Sequence, residues 1–166
     1  MSVASRRCLQ LVAYLAFTFI AVSPALRAQF AGVAQPLSAF TIPQADLLQP
    51  QEVRQILAAK GDEKPLILHV GSRVMFAQSH IPGSEYVGPG SQAEGLQQLQ
   101  DRVKSLPKKK FIVLYCGCCP WNHCPNVGAA FAKLQQLGFT NVKVLYLANN
   151  FGTDWAAKGY PVEPGR

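Results

Sequence analysis

The chain has 166 residues and a formal net charge of +7, from 16 Lys and Arg against 9 Asp and Glu. That length suits one domain behind an amino-terminal leader. Cutting the leader away would remove Arg6, Arg7 and Arg27 and no acids, leaving 13 basic against 9 acidic residues, a charge of +4. Much of this excess sits in Lys108-Lys109-Lys110, with no basic–aromatic interleaving around it, so nucleic acid is excluded as a partner.

The leader reads as a signal peptide over residues 1–28. Arg6 and Arg7 form a charged start, Leu9 to Val22 is an apolar run, and small residues follow at Ser23, Ala25 and Ala28. The run is shorter than the roughly 20 residues that span a bilayer. Cleavage is expected after Ala28, with Ala25 the rival site, and the protein is expected to be exported, periplasmic or extracellular. An uncleaved leader would be its one attachment to a membrane. Residues 29–44, rich in Ala, Gln and Pro, read as a linker, and residues 45–166 as a single domain.

Within that domain the pattern alternates. Gln49 to Lys60 carries Val53, Ile56 and Leu57 at helical spacing, with Pro50 in the first turn. A turn over 61–65 leads to a strand at Leu66–Val70, a short helix at Val74–Gln78 and a short strand at Glu85–Val87. Leu96, Leu99, Val103 and Leu106 mark an amphipathic helix that stops at Pro107. Phe111 to Tyr115 reads as a buried strand and Gly128 to Leu137 as a helix ended by Gly138. Val142 to Leu147 is the last strand; Asn149 to Asp154 reads as a loop, and Trp155 to Lys158 as a short closing helix. Strands and helices in this order predict an α/β domain with a central, mostly parallel sheet flanked by helices.

Four of the five cysteines, Cys116, Cys118, Cys119 and Cys124, fall between one strand and the next helix; Cys8 leaves with the leader. A disulfide scaffold would spread its cysteines along the chain, so these belong to a site. Cys116 closes a central strand, where open α/β sheets bind ligands, and the helix after the loop is expected to favour its thiolate. It is the candidate nucleophile. Cys118, Cys119 and Cys124 are candidate resolving thiols, and His123 a candidate base or neighbouring cation. Two other readings stay open: the four sulfurs as ligands of Zn²⁺ or Cu(I), or a local Cys118–Cys124 or Cys119–Cys124 disulfide that stiffens the loop. Gly117, Pro120, Trp121, Asn122, Pro125 and Asn126 complete the loop. Trp121 is expected to pack it down, and Asn126 to cap the following helix. Lys133 and Lys143 read as solvated surface.

Several segments in this order resemble the rhodanese-like domain family. Ser79-His80-Ile81-Pro82-Gly83-Ser84 is similar to its Gly-His-Ile-Pro-Gly-Ala segment, and Val113-Leu114-Tyr115-Cys116 to its strand ending in the catalytic cysteine. Ala130 to Phe139 resembles its helix, and Trp155 with Gly159-Tyr160-Pro161-Val162-Glu163 its carboxy-terminal signature. The chain departs from the family at His69-Val70-Gly71, where Asp-Val-Arg is usual. It departs also in the loop after Cys116, which is longer by about five residues, lacks an arginine and ends near Asn126. The resemblance implies a sulfurtransferase with no required cofactor. Cys116 would take sulfur from a small sulfur-containing anion, such as thiosulfate or polysulfide, and pass it as a persulfide to a thiol or cyanide acceptor. It also implies a structural role for His80. Arg73 is the candidate to replace the missing loop arginine.

Overall fold

The computed structural model describes residues 41–59 and 64–165. The expected signal peptide over 1–28 and most of the expected linker over 29–44 lie outside the described residues. Five parallel strands form one sheet in the order β1-β5-β4-β2-β3: β1 Leu47–Leu48, β2 Leu66–His69, β3 Glu85–Tyr86, β4 Ile112–Tyr115 and β5 Val142–Leu145. The helices are α1 Pro50–Ala58, α2 Arg73–Gln78, α3 Ala93–Val103, α4 Asn126–Gln136 and α5 Phe151–Asp154. No helix among the described residues is long and apolar enough to cross a membrane.

Central strand β4 is buried at every residue, which hides its period in the sequence, yet its side chains divide strictly by alternation. Ile112, Leu114 and Cys116 join one apolar cluster with Leu99 and Val103 of α3 and Phe131 and Leu134 of α4. Val113 and Tyr115 join the other, with Val53 of α1, Phe151 of α5 and Trp155. Helices therefore cover both faces, as a parallel sheet requires.

Local signals explain the helix ends. Pro50 opens α1, and the Glu52 carboxylate accepts the Gln49 backbone N–H at 2.6 Å. After α4, Gly138 N–H donates to the Gln135 carbonyl at 2.9 Å and Phe139 N–H to that of Leu134 at 3.0 Å, a Schellman closure.

The structure differs from the sequence reading in several particulars. The last residues read as linker are not a tether: Ile42 packs in the core, and Gln44–Asp46 form a 3-10 turn into β1. Strand β1 has only two residues, too few for a period to register, and exists because β5 offers it an edge. Lys143 is not a freely solvated side chain. Its ammonium donates to the Asp46 carboxylate and the Ala45 carbonyl, both at 2.8 Å, and so fastens the turn before β1 to β5. Finally, the stretch read as a loop over 149–154 contains α5, capped by the Asn150 side chain, which accepts the Thr153 N–H at 2.8 Å. Ala156–Lys158 then forms a 3-10 turn where a short helix was expected.

The His80–Ser84 turn is structural, as the resemblance implied. His80 is buried, its ring meeting the Phe76 carbonyl at 2.9 Å and the Glu163 carboxylate at 3.2 Å, while Glu163 also accepts the Gly83 N–H at 3.0 Å. Beneath it, Tyr115 Oη accepts the Ile81 N–H at 3.2 Å and pairs with Ser84 Oγ at 2.9 Å. Burial pushes the Tyr115 phenol up to about 12. Leu114, fully buried at the middle of the sheet, supplies a direct check on this core. Leu114→Ala should cost about 2–5 kcal/mol in urea unfolding, through the transfer and cavity terms of a buried leucine.

Candidate active site

The alternation along β4 carries Cys116 into the α3/α4 side of the core, where it is 3 % exposed. Its backbone is held from β2. The Gly71 N–H donates to His69 Nδ1 at 3.3 Å, leaving Nε2 to carry the ring proton and donate it to the Cys116 carbonyl at 3.0 Å. Burial lowers the His69 pKa to about 4, and the Cys116 carbonyl opposes that shift only in part, so the imidazole is neutral near pH 7. Gly71 clears the space above. A Cβ there would lie 2.7 Å from Cys116 Sγ, so no larger residue fits without moving the sulfur.

Gly117 turns the chain away with φ +75°, and a Cβ on it would meet that of Phe151 at 2.6 Å. Its carbonyl accepts the Phe151 N–H at 3.0 Å, and the Trp121 N–H donates to the Ala148 carbonyl at 3.1 Å. The Trp121 ring lies 4.9 Å from that of Tyr146. Trp121 therefore packs the loop against the segment after β5, as expected.

The sulfurs form a chain. Cys116 Sγ is 3.0 Å from Cys118 Sγ, and Cys118 Sγ is 3.4 Å from Cys119 Sγ. The Cys119 thiol points to the His123 carbonyl at 3.6 Å. Asn126 is buried, and its amide donates to Cys116 Sγ at 3.4 Å and to Cys118 Sγ at 3.8 Å, while its Oδ1 accepts the Ser91 N–H at 3.0 Å. The expected capping role of Asn126 is thus corrected. Pro125 occupies the cap position of α4, and Asn126 is the first helical residue, its side chain turned into the sulfur cluster.

The thiols of this cluster are shifted in opposite directions. Cys124 is held down to about 6, first by its interaction with Cys116, against burial, and then by the backbone N–H groups of Val127 and Asn126 at the start of α4. Cys116 is driven the other way, well above the usual thiol range, first by Cys124 and then by burial; the Cys118 N–H opposes this. Burial, followed by the Cys118 thiol, pushes Cys119 up to about 12. The backbone N–H groups at the start of α4 act on Cys124, and Cys116 is the thiol that acts on it most.

Other candidates lie elsewhere. His123 and Asn122 are exposed, and His123 meets the cysteines through its carbonyl and not its ring. The Arg73 guanidinium lies 4.5 Å from the centre of the Tyr86 ring. All four cysteines are free thiols. Among the described residues no group of three or more His, Cys, Asp or Glu side chains is arranged to hold a metal ion. Sequence reasoning passed over His69 and Gly71 as site residues. A glycine directly after a buried strand was the available signal, but only the packing shows what fills the space.

This distribution of charge is open to measurement. Near pH 7, iodoacetamide should modify Cys124 ahead of Cys116, with a rate that rises as pH passes through about 6. In Cys116→Ala, which removes the main cause of the lowered value, the midpoint should move upward. Peptide mapping of alkylated protein across pH gives both results.

The model of the rhodanese-like domain matches residues 49–147. No curated protein sequence matches the chain. Among solved structures it is similar to the BH2092 protein of Bacillus halodurans, 27 % identical over 70 % of this chain and 75 % of that one, with a TM-score of 0.54. It is similar to the Alr3790 protein of Anabaena sp., 25 % identical over 71 % and 92 % of the two chains, with a TM-score of 0.53. A thiosulfate sulfurtransferase of Pseudomonas aeruginosa is 28 % identical over 74 % of this chain, which spans 20 % of that protein, with a TM-score of 0.50. With the strand that ends in Cys116 at the centre of its parallel sheet, the chain belongs to the rhodanese-like domain family.

Proposed function

We propose that the domain is an exported sulfurtransferase that carries sulfane sulfur as a persulfide on Cys116. The observation that carries this reading is Cys116 itself, at the carboxyl end of the central strand with the Cys118 N–H and the Asn126 amide directed at its sulfur. Those donors suit a persulfide anion, since N–H groups aimed at a point stabilise negative charge there. The similarity to a thiosulfate sulfurtransferase supports the same chemistry.

In the first step Cys116 Sγ attacks the outer sulfur of a donor such as thiosulfate. Its proton passes to the Cys124 thiolate, the donor's S–S bond breaks, and sulfite leaves with the bonding pair. Cys116 then holds a persulfide anion and Cys124 a thiol. In the second step an acceptor thiolate or cyanide attacks the terminal sulfur, the Cys116–persulfide bond breaks, and Cys116 recovers its proton from Cys124. Cys124 acts here as a proton store, which its place at the helix start suits. Arg54, Arg73 and Arg102 are engaged with Tyr160, Tyr86 and Glu85 respectively. Recognition of the donor anion therefore falls to the loop N–H groups and Asn126. We place the protein outside the cytoplasm on the strength of residues 1–28.

Rapid alkylation after mixing with excess thiosulfate should trap a species one sulfur heavier by intact mass. Cys116→Ser should lack it entirely. The reading fails if Cys116→Ser gains the sulfur too, or if neither wild type nor any single variant of the other three cysteines gains it.

A further inference from the structure

We propose that Cys118 resolves the Cys116 persulfide, so that the same loop reduces sulfane sulfur to hydrosulfide and ends as a Cys116–Cys118 disulfide. The inference rests on the persulfide reading above and adds to it a second activity and a co-substrate, an external dithiol.

Three observations single out Cys118. Its sulfur lies 3.0 Å from Cys116 Sγ, and the bonded distance of about 2.05 Å is a short movement away. Gly117, the residue between them, already takes the left-handed turn that brings the two sulfurs together, and Asn126 donates to both. Cys119 is drawn to the His123 carbonyl, and Cys124, though it interacts with Cys116, is also held by the backbone N–H groups that open α4.

Exposure points the same way. Cys116 is 3 % exposed, so a persulfide on it is poorly placed for a bulky acceptor, whereas Cys118 is half-buried and within reach of solvent. A thiol held at contact distance competes with any acceptor in solution through its high effective concentration.

The step balances. The Cys118 thiol sulfur attacks Cys116 Sγ, a new S–S bond forms between them, and the bond to the terminal sulfur breaks. That sulfur leaves with the bonding pair and takes the Cys118 proton, as hydrosulfide. Counted from the two free thiols and the neutral sulfane sulfur, both cysteines are oxidised by one electron each, and the transferred sulfur is reduced by two. An external dithiol then attacks the disulfide at the more accessible Cys118 sulfur, restores both thiols by exchange and is itself oxidised to a disulfide.

A single turnover with excess thiosulfate and no added thiol tests this, because thiosulfate releases sulfite in the first step and hydrosulfide only in the second. Wild type should release about one hydrosulfide per protein. It should lose two free thiols, and fragmentation should locate the new disulfide at Cys116–Cys118. Cys118→Ser and Cys118→Ala should instead keep the extra sulfur, with hydrosulfide release lowered at least about tenfold. The inference is overturned if wild type holds its persulfide as long as these variants do, or if the disulfide involves Cys119 or Cys124. Failure of every form to gain sulfur would overturn the persulfide reading itself, and this inference with it.

Discussion

The carbonyl at the end of β4 is the point on which the site depends. The last ladder bond from β2 reaches β4 at Tyr115, whose carbonyl accepts the Val70 N–H at 2.9 Å. One residue further the Cys116 carbonyl is buried, and leaving such a group unpaired costs about 1–3 kcal/mol. The imidazole of His69 closes that gap. It can do so only as the neutral tautomer that the Gly71 N–H selects, and burial among the Phe76, Tyr86 and Tyr115 rings keeps it neutral. Because His69 holds the carbonyl, the side chain of Cys116 is fixed toward α4, and Gly71 must lack a side chain for its sulfur to fit.

A second constraint is the small number of positive groups near the sulfurs. The described arginines are engaged elsewhere, so the local positive potential comes from the exposed N–H groups at the start of α4 and from the Asn126 amide. Two thiols compete for it. The N–H groups at the start of α4 lower the Cys124 thiol, while Cys116, more deeply buried, is raised.

Much of the architecture was legible along the chain. The helical spacing of Val53, Ile56 and Leu57, the apolar run of β4, and Gly138 after α4 are signals written in near neighbours, and the structure contains those elements. Failures occurred where an element owes its existence to a distant partner. Strand β1 is two residues paired with an edge about 97 positions away, and Lys143 is drawn out of solvent by Asp46 over the same separation. Asn126 has the composition of a cap, yet its side chain answers to Cys116 and Ser91.

By itself the sequence determined the α/β class, the order of strands and helices, and the concentration of thiols between a central strand and a helix. Periodicity and spacing encode these directly. Only the tertiary structure decided that α4 points its N–H groups at Cys124, that His69 holds the strand end, that Gly71 makes room for the sulfur, and that Cys118 is the neighbour of Cys116. Each of these depends on ångström-scale distances between segments that the chain brings together only when its two apolar faces are packed, and no local pattern carries that information.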